Sequence, residues 1–259
     1  MERLSYSTFS VARVLMALCV FFCHVFERFN DWGFLFVGVF FFMSGYGMEV
    51  SGKRYQSLKR VVPYILYFAW FSLIYFLFFQ VFIYPSSWFL VIYFCVMVIY
   101  RFVSNIYGLL AAFFVFAIVL MGLGFGWVWM ASYGGFLFGV FFARNRSAFT
   151  WKVTLCFVPM CVLAPWTGSV ACWVLLPFFS WLVFSVSSMR FLKFLSYAGD
   201  YTFFFYCVHC LILGLFGCTW TLGGSPSVMG CIGAFFASVG VSVFLKDSLF
   251  NYPKIQKAG

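Results

Sequence analysis

Charge is what this chain lacks most. Only 8% of its 259 residues are Asp, Glu, Lys or Arg, against roughly 25% in soluble globular domains. No polar stretch is longer than a loop, which leaves no room for a soluble domain. Acidic residues number six and histidines two, so a site built on ionisable groups has few to draw on. The first apolar run has no small-residue cleavage site, and no cleavable signal is expected. The ten cysteines lie mostly inside apolar segments, where Cys behaves as a small hydrophobe. None pair up across opposing outer loops, so no structural disulfide is expected. Cys207 and Cys210 form a single C-x-x-C within one segment, with no second such pair, and neither a metal nor a haem is expected.

What the chain does have is apolar length. It is 65% hydrophobic and 26% aromatic, with a mean hydropathy of +1.05. Apolar runs follow one another with short breaks, the pattern of a polytopic helical membrane protein in a single domain spanning residues 1–259. Segments are expected at Phe9–Phe29, Trp32–Met48, from Val61 with Pro63 in the first turn, Trp88–Val103, from Tyr107, and Trp127–Ala143. Others are expected from Lys152 to Ala164, Gly168–Val186 with a kink at Pro177, Tyr201–Cys218, and up to Lys246. Ser187–Asp200 reads as a polar connection. Gly33, Gly38, Ser44 and Gly45 suggest close helix packing in the second segment.

The net charge of +10 does not point to nucleic acid, because the bases fall in alternate loops. That alternation is orientation information. It places both termini in the cytoplasm, with about ten transmembrane helices and a cell-membrane, multi-pass location. Arg101, Arg144 and Arg146 read as anchors of the inner loops.

The first segment carries two ionisable residues inside an apolar run, Arg13 and His24. At ~100° per residue they share a helix face, roughly 16 Å apart along the axis. Such residues normally face protein or a water-filled cavity. The pair therefore reads either as a polar track or as a snorkelling arginine with a hydrogen-bonded histidine. Glu27 follows three residues after His24, where it could orient the imidazole or sit solvated at the interface. His209 falls near the middle of a late segment, as a structural hydrogen-bonding group or a second polar group of a site.

Several short stretches stand in order along the chain. After Arg13 and His24 comes Phe40-Phe41-Phe42-Met43-Ser44-Gly45-Tyr46, then Leu58-Lys59-Arg60-Val61-Val62-Pro63. Late in the chain come Gly199-Asp200-Tyr201-Thr202 and Tyr206-Cys207-Val208-His209. This ordered set resembles the membrane acyltransferase-3 family, whose first helix carries an arginine and a histidine separated by ten residues. In that family Phe-Phe-x-x-Ser-Gly-Phe/Tyr closes the second helix, a basic entry opens the third, and Tyr-x-x-His lies in a late helix.

The resemblance implies an integral-membrane O-acyltransferase. It would move an acyl group, usually acetyl from acetyl-CoA, to a hydroxyl of an extracytoplasmic carbohydrate or envelope glycan. Arg13, Arg54, Lys59 and Arg60 would hold the anionic end of CoA. His24 would be the general base or a transient acyl carrier, assisted by Glu27. Tyr206 and His209 would contact the acceptor. The partners expected are acyl-CoA, a glycan and the lipid bilayer. A transporter or channel for an anion or proton, lined by Arg13 and His24, is the alternative from another class. Its paired broken helices are not evident in the sequence.

Overall fold

A computed structural model describes residues 5–52, 57–81, 87–103, 105–122, 128–145 and 170–250. The described chain is all helical, as the unbroken apolar runs require: a backbone removed from water must satisfy its own hydrogen bonds. Among the described residues nine α-helices follow in order: α1 (Tyr6–Val25), α2 (Asn30–Ser51), α3 (Ser57–Phe79), α4 (Ser87–Phe102), α5 (Ile106–Gly122), α6 (Val128–Arg144), α7 (Val170–Ser187), α8 (Thr202–Leu215) and α9 (Val228–Phe250). The expected segment between Lys152 and Ala164 lies outside the described residues.

Helix ends follow local chemistry. The Ser5 hydroxyl accepts from the Thr8 N–H at 3.2 Å and caps α1, one of the donors a helix start leaves unmet. α2 stops at Gly52, whose φ of +63° suits a residue without a Cβ. One helix detail differs from expectation: α3 begins at Ser57, so Pro63 falls deeper in the helix than the first turn. The expected polar connection is also structured: Arg190–Asp200 forms a 3-10 helix, bent by 73° from α8.

Among the described residues, three helices are long and apolar enough to cross a membrane: Tyr6–Val25, Trp32–Ser51 and Val228–Ser248. The bent pair Arg190–Asp200 and Thr202–Leu215 makes a fourth if taken as one span. Ile65–Phe79, Val91–Phe102 and Ile106–Val119 are apolar but shorter. A bilayer core needs about 20 apolar residues of straight helix.

α2 is the central element, packed against α6, α1 and α7. α1 and α2 form an antiparallel hairpin, with Cys23 beside Gly33 at one end and the Phe9 and Tyr46 rings 5.3 Å apart at the other. Against α6 the approach is backbone to backbone. A Cβ added at Gly45 would meet the Phe136 carbonyl, and one at Gly135 the Gly38 carbonyl. The small residues expected to bring helices together therefore do so at Gly38 and Gly45, with Gly135 and Gly139 as their counterparts. Gly33 is only in ordinary contact with Cys23.

Polar pairs gather at the Arg13 end of the bundle. Arg144 on α6 donates to both carboxylate oxygens of Glu49 on α2, at 2.8 and 3.2 Å, and the Tyr100 hydroxyl donates to Glu49 Oε2 at 2.6 Å. Arg144 is thus a bidentate helix–helix clamp, more than an interfacial anchor. Both partners are about a quarter exposed, which screens the pair. Glu49→Gln is expected to lower stability by about 1 kcal/mol, read as an earlier midpoint in a denaturing-detergent titration. An unchanged midpoint would show the clamp adds nothing.

Candidate functional site at the α1–α8 crossing

His24 lies in the last turn of α1, and His209 lies in the middle of α8. The fold brings them together: their ring centroids are 5.1 Å apart. The Tyr206 ring, one turn back on α8, is 5.5 Å from His209. Phe205 stacks on His209 at 5.8 Å and 5°, and Phe21 closes another side at 6.4 Å. His209 is 1% exposed, while His24 is half-buried.

His209 is also tied by hydrogen bonds. Its Nδ1 lies 3.1 Å from the Phe205 carbonyl oxygen. A carbonyl only accepts, so Nδ1 carries the proton and Nε2 presents a lone pair. Cys210 Sγ lies 3.3 Å from that Nε2. One ring nitrogen from each histidine and Cys210 Sγ fall within 4.8 Å of one another. Trp220, in the 3-10 turn Trp220–Leu222, donates from its indole to the Cys23 carbonyl at 2.9 Å and fixes the end of α1.

Arg13 does not share this group. Its guanidinium donates to Ser10 Oγ at 3.0 Å, lies 3.8 Å from Asp200 Oδ1 and sits 5.7 Å from the Tyr6 ring centre. The Tyr6 hydroxyl donates to the same Asp200 oxygen at 2.5 Å. Next to it, Lys246 Nζ lies 3.8 Å from the centre of the Tyr201 ring. The Gly199-Asp200-Tyr201-Thr202 stretch therefore partners the N-terminal half of α1 and the C-terminal part of α9. It is held there by fit: a Cβ on Gly199 would lie 2.6 Å from Ser10 Cβ and 2.7 Å from Ser10 Cα. Gly199→Ala is expected to push the 190–200 helix off α1 and part Arg13 from Asp200. Faster amide exchange confined to that segment is the readout, and wild-type protection would contradict it.

The face of α1 between Arg13 and His24 is filled. Ala17 and Val20, on that stripe, are 4% and 3% exposed and share a buried cluster with Phe205, Tyr206 and Val208. The polar track expected from the spacing is a packed seam in this conformation, with a polar group at each end. Glu27 also departs from expectation. α1 ends at Val25 and Phe26 turns to extended backbone, so the helical register that would bring Glu27 onto the His24 face stops short of it. Glu27 is exposed and makes no hydrogen bond or ion pair among the described residues.

The first turn of α3 carries Lys59 and Arg60, whose side chains lie outside the described residues, as does Arg54 entirely. Sequence reasoning named Asp200 only within the Gly199–Thr202 stretch, set aside a metal at Cys207 and Cys210, and gave no role to the Glu49–Tyr100 pair. For Asp200 and Glu49 a signal existed, since a carboxylate in so apolar a chain normally faces a polar partner or water. For Cys210 the signal was its C-x-x-C spacing to Cys207, whereas the groups that meet it are the adjacent His209 and, from a helix distant in sequence, His24. The chain matches no protein-family model, no curated protein and no solved structure.

Proposed function

We propose that this protein is an integral-membrane O-acyltransferase with about ten crossings and both termini in the cytoplasm. It takes an acyl group, most simply acetyl, from cytoplasmic acyl-CoA and passes it to a hydroxyl of an extracytoplasmic glycan. The observation that carries the reading is the meeting of His24 and His209 at 5.1 Å. These are the two histidines that the ordered motif set marks, and they come from helices at opposite ends of the chain.

In this reading His24 takes the proton of the acceptor hydroxyl as that oxygen attacks the thioester carbonyl, and CoA leaves as the thiol. His209, fixed by the Phe205 carbonyl, and Tyr206 position the His24 ring and the acceptor. Glu27 has no part in the step. Arg13, Arg54, Lys59 and Arg60 bind the donor's phosphates. The Arg13–Asp200 pair is long and partly open to water, 31% and 46% exposed. Such pairs contribute about 0–1 kcal/mol, so a phosphate displaces the carboxylate readily. Because Ala17 and Val20 close the seam, the pantetheine arm reaches His24 only when α1 and α8 part there.

The test is transfer itself. Proteoliposomes are given labelled acetyl-CoA on the Arg13 side and an envelope glycan on the other. Label appearing on the glycan supports the enzyme. Ion or proton flux without acetyl transfer would replace it with a transporter. Arg60→Ala is expected to weaken acetyl-CoA binding about tenfold, the loss of one charge-assisted phosphate contact, and unchanged binding removes Arg60 from the donor site.

A further inference from the structure

We infer that His24, His209 and Cys210 form a binding site for a copper(I) ion. The proposal is independent of acyl transfer and rests on the geometry of the three donors. Nε2 of His209 and Sγ of Cys210 are 3.3 Å apart, an edge that subtends roughly 100° at an ion ~2.1–2.3 Å from each atom. The third donor, a ring nitrogen of His24, completes the group within 4.8 Å. Metal-bound histidines typically donate their second ring N–H to a backbone carbonyl or carboxylate, which fixes the tautomer. His209 already makes that bond, to the Phe205 carbonyl at 3.1 Å. The stacked Phe205 ring holds the imidazole in place. His24, half-buried in the last turn of α1, supplies the third donor.

Charge selects the ion. His209 and Cys210 are 1% and 3% exposed, and no carboxylate joins the group among the described residues. A divalent zinc ion with one thiolate leaves a net positive charge in apolar surroundings, which is costly. A structural zinc site takes four protein ligands, one more than is present. Copper(I) with one thiolate is neutral, and sulfur with imidazole is the donor set that suits it. On binding, the Cys210 S–H bond is replaced by S–Cu and the proton leaves to solvent. No oxidation state changes. A bound ion occupies the His24 nitrogen, so copper also blocks any reaction in which that nitrogen acts as a base.

The full chain is purified in detergent without oxygen and titrated into the violet complex of copper(I) with bicinchoninate. Wild type is expected to withdraw one ion per chain and bleach the complex. Cys210→Ser, His209→Gln and His24→Gln each withdraw it at least about tenfold more weakly. Cys95→Ser, on a helix that supplies no donor, behaves as wild type. Copper X-ray absorption on the loaded wild type is expected to show nitrogen and sulfur neighbours together, which decides the matter even if a histidine variant fails to fold. The site is overturned if wild type takes no copper, if Cys210→Ser binds as wild type does, or if the spectrum shows sulfur neighbours alone. Zinc binding as tightly as copper would overturn the choice of ion.

Discussion

Gly139→Ala is expected to unseat α6 from α2 and to be among the most damaging single-methyl changes in the protein. The added Cβ would run into the Phe42 carbonyl oxygen and lie 2.8 Å from the Tyr46 nitrogen and 3.0 Å from the Phe42 carbonyl carbon. All three are backbone atoms of α2, and a helix backbone cannot rotate aside as a side-chain tip can. Either the helices separate along their length or α2 bends. Overpacking of this kind costs about 1–3 kcal/mol or more. The separation also loosens the Glu49–Arg144 clamp, which sits farther along the same interface. Gly47→Ala is the matched control, because a Cβ there meets nothing within 4 Å and alanine favours the helix by about 1 kcal/mol. In a denaturing-detergent titration the Gly139 variant should unfold well before wild type and the Gly47 variant no earlier. Equal midpoints for the two variants would mean that the α2–α6 approach is looser than described.

Replacing His24 by alanine is expected to reduce acetyl transfer by about 10²–10⁴-fold, the usual contribution of a positioned general base. Acetyl-CoA binding is expected to stay unchanged, because the proposed donor contacts lie at the other end of α1. The loss should therefore fall on kcat, with KM for the donor preserved. His209→Gln, which removes the ring beside His24 but leaves the base, should fall between the variant and wild type. A His24→Ala protein that transfers acetyl at the wild-type rate ends the catalytic role proposed for this residue. One that loses donor binding as well would show that His24 supports the helix and not the chemistry.

The secondary structure was largely legible in the chain. Nine expected apolar segments coincide with α-helices to within a few residues, because runs of apolar residues broken by charge, glycine and proline leave a helix few other places to begin or end. The close approach at Gly38 and Gly45 was legible for the same reason: small residues in an otherwise bulky phenylalanine-rich helix mark where another backbone comes near. The 3-10 helix at Arg190–Asp200 was not. Its charges at Arg190 and Lys193 read as a loop, whereas the segment lies against α1, with Gly199 close on Ser10 and Asp200 bonded to Tyr6 and paired with Arg13. Arg144 shows the same limit, since a positive residue between apolar runs looks like an anchor until Glu49 is seen opposite it.

For the candidate site the division is sharper. Periodicity alone put Arg13 and His24 on one face of one helix, since a rise and a turn per residue settle that without any tertiary contact. What occupies the space beside that face depends on which helix lies against it. The fold sets α8 there, so that His209 and Cys210 meet His24 while Ala17 and Val20 close the seam toward Arg13. It also ends α1 at Val25, before Glu27 can follow the helical register. Composition and spacing determined that the chain is helical and apolar and where its few ionisable groups stand along each helix. Only packing, which pairs residues far apart in sequence, decided which of those groups touch.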